Sequence, residues 1–256
     1  MKVFVISLPK AKDRQQRISE QLDNAGIDFE MFMGVDGREG AHPLFEHYNE
    51  PLRLKIKGEP MLPGQLGCFA SHYLLWVRCA DSKEPCIVLE DDARIDTDLL
   101  NQFLAATRLL GSQYECVRLF ENKSRVRKAV PVQTVSDFLV CKYFKGHMST
   151  TGYYLTPSGA EKFIAGADEW LLPVDIYMDQ FWNNGVECYG IQPPCLTNDE
   201  SFESLIDYVP KRRKKRKTLL VRFGRESYLV KNNFRRFLWN LKFLMKSQKP
   251  FERIRF

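Results

Sequence analysis

An α/β fold on a mostly parallel central sheet is what this 256-residue chain predicts, and three observations carry it. A strand, a helix and a second strand follow one another before Asp36, at the spacing of a βαβ unit. The β-branched run Ile87-Val88-Leu89, preceded by the loop signal Lys83-Glu84-Pro85, reads as a buried strand. That strand runs out into three consecutive carboxylates, Glu90, Asp91 and Asp92, where open α/β sheets hold their ligands. Three adjacent anions repel one another and are costly to bury unpaired, so they invite a cation. Mn²⁺ or Mg²⁺ suits them, because these ions take hard oxygen ligands and bridge carboxylates to phosphates. A solvated acidic turn capping the next helix is the competing reading.

The elements follow in order. Residues 2–8 read as a strand buried on both faces, ended by Pro9. Lys10 to Gly26 reads as a helix, with Ile18, Leu22 and Ala25 at helical spacing and a glycine stop. Phe29 to Val35 makes the second strand, turning at Asp36-Gly37. Ser7, Arg14, Asp36 and Gly37 therefore stand where a nucleotide crevice would form. Arg14 reads equally as a phosphate or base contact and as a solvated helix arginine. Asp36 reads as a ribose contact or as a turn residue.

Residues 38–60 have weak periodicity and are expected to be a long loop, with His42 and His47 on the surface. Gln65 to Ala80 is apolar nearly all round and reads as a buried helix, in which His72 is a lone core histidine. Asp98 to Leu110 is amphipathic, Tyr114 to Phe120 a strand, and Val130 to Tyr143 two strands about Ser136-Asp137. Tyr153 to Leu155 is a strand, and Thr156-Pro157 opens a helix reaching Gly166. Asp175 reads as a helix N-cap or as a carboxylate able to take a proton from an acceptor hydroxyl. Asp179 shares its face one turn on. Residues 185–197 supply a final strand and loop.

Composition bounds the rest. Hydrophobic residues make up 44% and aromatics 12%, enough for a core and against a disordered chain. Seven cysteines, an odd number with no Cys-x-x-Cys, predict reduced buried thiols in a cytosolic protein. The N-terminal apolar run is too short for a secretory signal, and no stretch is long enough to span a bilayer. Charge is unevenly placed: from Lys211 onward 17 Lys/Arg face 2 Asp/Glu, whereas the first 210 residues hold 21 against 30. An acidic domain over 1–205 with a basic segment over 206–256 is expected. The segment opens with seven cations, Lys211 to Lys217. It continues with Phe234, Phe237, Leu238, Leu241, Leu244 and Met245 at helical spacing among Arg235, Arg236, Lys242 and Lys246. A basic amphipathic helix on an anionic membrane explains it, and the apolar stripe favours membrane over nucleic acid. A helix docked on the protein's own acidic body is the third reading.

Several of these stretches, taken in order, resemble glycosyltransferase family 25, the bacterial lipopolysaccharide and lipooligosaccharide hexosyltransferases related to the collagen galactosyltransferases. They are Val3 to Leu8 with Arg14, Val35-Asp36-Gly37, Gly67 to His72, Leu89 to Ala93, and Tyr154 through Gly159-Ala160. The resemblance implies a GT-A-like nucleotide-sugar-binding fold, a UDP-sugar donor, commonly UDP-galactose, a divalent metal, and inversion to a β linkage. It implies Asp92, with Glu90, as metal ligands, and donor contacts at Ser7, Leu8, Arg14, Asp36, Gly37, His72, Glu90 and Asp91. Ser7 stands where many members carry asparagine, which leaves that contact open. A single in-line displacement is expected, with Asp175 the first choice for the base and Asp179 the second. A lipid-linked oligosaccharide acceptor is expected at the cytoplasmic face of the inner membrane, where the basic segment would hold the enzyme peripherally. A nucleotidyltransferase using the same crevice is the alternative, and a nucleic-acid-binding protein a weaker one.

Overall fold

A computed structural model describes residues 1–120, 129–147, 149–198 and 219–246. The polybasic run 211–217 and the boundary expected at 205/206 lie outside the described residues. The elements are β1 (Lys2–Ser7), α1 (Lys12–Asn24), β2 (Glu30–Met33), α2 (Glu50–Lys57), α3 (Pro63–Ser82), β3 (Cys86–Glu90), β4 (Ala93–Ile95) and α4 (Thr97–Ala106). Then come β5 (Cys116–Arg118), β6 (Ala129–Val135), β7 (Phe138–Tyr143), β8 (Gly152–Leu155), α5 (Pro157–Ala165), α6 (Val174–Met178) and α7 (Phe181–Asn184). The last are β9 (Tyr189–Gln192), β10 (Leu196–Asn198) and α8 (Leu219–Lys246).

Eight strands form one sheet in the order β2-β1-β3-β8-β5-β9-β7-β6. It is mixed, with six strands running one way and only β7 and β8 reversed. β1 lies in register between β2 and β3, which is why its apolar residues need not alternate with polar ones. Strand side chains alternate between faces, and the two faces feed separate cores. Val3, Val5, Ile87 and Leu89 meet Ile18 and Leu22 of α1 and Leu100 and Phe103 of α4. Phe4, Cys86 and Val88 meet Phe69 and Trp76 of α3, Phe163 of α5 and Tyr177 of α6. The result is a three-layer arrangement, helices on both faces of the sheet.

The expected loop over 38–60 is only partly a loop, because it contains a 3₁₀ turn (Pro43–His47) and α2. Asn49 caps α2 through the Leu52 N–H at 3.0 Å, Pro51 sits in the first turn, and Gly58 closes it at φ 76°. Its buried residues are Arg53 and Ile56, too few for a visible periodic signal. Asp175 is not an N-cap; Pro173 precedes α6, and Asp175 lies in its first turn. All seven cysteines are free, and six are buried. No helix among the described residues is long and apolar enough to cross a membrane.

Candidate active site

β1 and β3 are parallel neighbours, so their carboxyl ends emerge side by side. The crevice there is lined by every expected donor-side residue: Ser7, Leu8, Arg14, Asp36, Gly37, His72, Glu90 and Asp91, together with Asp92. Cys68, Ser71 and Arg38 line it as well.

Asp91 anchors this end. It accepts a 2.6 Å bond from the Ser7 hydroxyl and a 3.1 Å bond from the buried Arg14 guanidinium. Burial pushes its carboxyl up, and Ser7 and Arg14 pull it back only in part. The solvated reading of Arg14 is thereby overturned.

Asp36 accepts from Lys10, from the Arg38 backbone N–H and from two nitrogens of the Arg38 side chain. Those four donors fill the roughly four lone-pair sites of a carboxylate. The Arg38 side chain, first among them, holds the Asp36 carboxyl well below the usual range. A ribose hydroxyl would have to displace Lys10 or Arg38, so what this position gives the crevice is the Arg38 cation.

Gly37 has a steric reason. A Cβ there would stand 1.9 Å from the Pro63 carbonyl oxygen, and one on Gly67 would stand 2.3 Å from that of Val35. Two glycines thus let the loop after β2 lie against the start of α3. Ser71 fastens it, accepting the Val35 N–H at 2.8 Å and donating to the Gly67 carbonyl at 2.8 Å.

His72 is fully buried yet faces the site. Trp76 can only donate, so its 3.0 Å bond to the Tyr153 hydroxyl leaves the tyrosine proton for His72 Nδ1 at 2.9 Å. The imidazole proton then sits on Nε2, 3.2 Å from Glu90 Oε1. Thr150 donates to the same oxygen at 2.5 Å. Burial raises the Glu90 carboxyl, but His72, Thr150 and the Arg118 charge outweigh it, and the net is a lowered value.

Asp92 is the least satisfied of the three. Its Oδ1 is buried without a hydrogen-bond partner, and Arg14 stands 3.7 Å from Oδ2. Burial first, then the charge of Glu90, push its carboxyl up to about 7. An orphaned buried carboxylate oxygen beside a second, ionised carboxylate fits a hard divalent cation. Ligand atoms of Cys68, His72 and Glu90 also lie within 4.8 Å of one another. There Nε2 carries a proton toward Glu90, and burial keeps the Cys68 thiol well above its ordinary value and neutral. Glu90 and Asp92 are therefore the better pair for Mn²⁺ or Mg²⁺.

The two base candidates part company. Asp175 lines a second cavity of about 340 Å³, adjoining the first, and Cys68, Glu90 and Asp92 line both. Burial raises the Asp175 carboxyl; the Ile176 N–H lowers it, and the charges of Asp179 and Glu90 raise it again. Asp179 is buried away from both cavities, pairs with Arg118 at 3.4 Å and accepts the His147 N–H at 3.0 Å. Its place is to pin the segment that carries Thr150, which corrects its reading as a base. Sequence reasoning missed Arg38, Cys68, Thr150 and Tyr153. Only Cys68 left a signal, four residues before His72 on the same helical face.

The sheet and its carboxyl-end crevice define an α/β protein built to hold a ligand against an acidic strand end. A family model described as "Glycosyltransferase family 25 (LPS biosynthesis protein)" matches residues 1–178, and the chain belongs to that family. A glycosyltransferase 25 family member of Aedes aegypti is 28% identical over 196 residues, covering 71% of this chain and 31% of that one. Procollagen galactosyltransferase 2 of Mus musculus is 25% identical over 189 residues, covering 71% and 30%. The chain spans about a third of the length of these curated relatives. A relative in Rattus norvegicus, 25% identical over 75% of this chain and 37% of its own, is named a probable inactive family member. A solved glycosyltransferase involved in glycosylating the major capsid of PBCV-1 overlaps 62% of this chain and 61% of its own, at a TM-score of 0.31 and 12% identity, too distant to carry an argument.

Proposed function

We propose that this chain is an inverting glycosyltransferase that moves a hexose, galactose first and glucose second, from a UDP-sugar to a core sugar of a lipid-linked lipooligosaccharide or lipopolysaccharide. The product is a β-glycoside. One observation carries the reading: Glu90 and Asp92 form a wall common to two cavities. The first, with Arg14, Arg38 and Gly37, suits a nucleotide diphosphate; the second, with Asp175, suits an incoming hydroxyl. The family description supports the acceptor class, and the galactosyltransferase relatives support the sugar. An acceptor anchored in lipid would bring the enzyme to the cytoplasmic face of the cell membrane.

Glu90 and Asp92 would hold Mn²⁺ or Mg²⁺. When bound, such an ion neutralises diphosphate charge and makes UDP a better leaving group. The chain's own residues do the rest. Arg14 and Arg38 add positive charge to the donor cavity. His72 and Thr150 fix the Glu90 carboxylate. The acceptor oxygen attacks the anomeric carbon from the second cavity while the bond to the diphosphate oxygen breaks, and its proton passes to a carboxylate oxygen of Asp175. Attack opposite the leaving group inverts the centre in one step, with no covalent intermediate.

The test is UDP release from a panel of UDP-sugars with Mn²⁺ and core oligosaccharide. A nucleotidyltransferase would release pyrophosphate instead. Asp92→Asn is expected to abolish transfer; wild-type turnover in a folded Asp92→Asn protein would sink the assignment.

A further inference from the structure

α8 carries seven Lys/Arg and one acidic residue, Glu226, on an amphipathic pattern. Its two long faces do different things. One is clamped to the body. Gln180 donates to the Tyr228 hydroxyl at 3.1 Å, Trp182 donates to Asn232 at 2.9 Å, and Trp239 donates to Glu187 at 2.9 Å. Asn240 donates to the Phe144 carbonyl at 3.0 Å, and Gly224 passes so close to α2 that a Cβ would stand 2.9 Å from the Lys55 carbonyl oxygen.

The other face is apolar and turned to water. Phe223, Val230, Phe234, Phe237, Leu241 and Met245 follow at steps of seven, four, three, four and four, which is one stripe of an α-helix. Each is between 40% and 76% exposed. Exposed Lys231, Arg235 and Lys242 follow the stripe along one side, while Arg222 and the single acidic residue, Glu226, stand on the other. A water-facing apolar ridge of this length marks an interaction surface.

We infer that this ridge lies in the interface of an anionic lipid bilayer, with α8 parallel to the membrane plane and the body fixed rigidly above it. The chemistry selects that occupant. The apolar stripe fits the boundary between headgroups and acyl chains, and the row of cations beside it, on a helix with seven Lys/Arg and one acidic residue, fits anionic headgroups. A second copy does not fit, because ridge against ridge would bring two helices of the same positive charge together. The helix bonds to the body on its opposite face, so the membrane meets a surface of the fold itself, not a tether. The inference needs no catalytic activity and stands or falls apart from the proposed function.

The experiment uses the full chain and sedimentation with vesicles of phosphatidylglycerol and phosphatidylcholine, or of phosphatidylcholine alone. The wild type is expected to sediment with the anionic vesicles and to bind the neutral ones far more weakly. Phe234→Glu combined with Phe237→Glu, both on the exposed stripe, is expected to keep the circular dichroism spectrum and melting temperature while weakening anionic-vesicle binding about tenfold or more. Leu241→Trp should show fluorescence quenched by brominated acyl chains. Undiminished binding in the double variant, or no quenching, overturns the inference in favour of attraction by the polybasic run alone. No vesicle binding by the wild type, with a dimer in equilibrium sedimentation that the double variant breaks, overturns it in favour of a second copy.

Discussion

Two carboxylates four residues apart in sequence are separated by what each touches. Asp175 faces the cavity shared with Glu90 and Asp92, so Asp175→Asn should lower kcat by roughly 10²–10⁴ and leave thermal stability nearly unchanged. Asp179 neutralises a buried arginine, so Asp179→Ala should cost about 3–5 kcal/mol in denaturant unfolding by stranding the Arg118 charge. Asp36 offers a test by pH. Its carboxyl is held below the unfolded value of 3.8, so its contribution is present above that value and is lost as pH falls through the folded one. Asp36→Asn should therefore lower the melting temperature at pH 7, and the gap from wild type should close only below about pH 4. Sequence could nominate all three aspartates and place Asp175 before Asp179 as the base, but it could not show what each carboxylate touches. The partner that decides the role of Asp179 comes from a distant segment, since Arg118 lies 61 residues before it, and the same holds at His72, whose Tyr153 lies 81 residues beyond.

At the scale of the element, β1, β3 and α3 were legible because each is a long apolar run with punctuation at its ends. The 3₁₀ turn and α2 were not, because a short element with few buried residues leaves no period to read. The junction between the loop after β2 and the start of α3 shows what sequence conceals. Gly37 and Gly67 look like ordinary turn and helix glycines, yet each faces backbone it would strike with one more carbon. Gly67→Ala should cost about 1–3 kcal/mol of stability and raise the KM for the donor, because the loop that carries Asp36 and Arg38 would be pushed off α3. Urea unfolding and donor titration read the two effects.

Across the whole molecule, the division between an acidic body and a basic appendage was visible in the charge count, which raised the docking of that appendage as one reading among three without deciding it. α8 meets the cluster of Phe181, Trp182 and Tyr143 through Trp239, and it lies along α2. Docking, posed by the sequence as a rival to membrane association, takes one face of the helix and leaves the apolar stripe on the opposite face exposed. Deleting residues 211–256 should therefore do more than release a tether. It should lower the melting temperature by exposing that cluster, which differential scanning calorimetry would register. The strand order has a further consequence, for the chain as it is being made. β1 and β3 can pair once residue 90 has left the ribosome, but the other edge of β3 is filled by β8, about sixty residues later. At ordinary elongation rates that edge stays open for seconds, with Ile87, Val88 and Leu89 along it and every cotranslational partner a wrong one. Nascent chains whose emerged portion ends between residues 100 and 150 should accordingly be strong clients of ribosome-associated chaperones, and chains from which residue 155 has fully emerged should not.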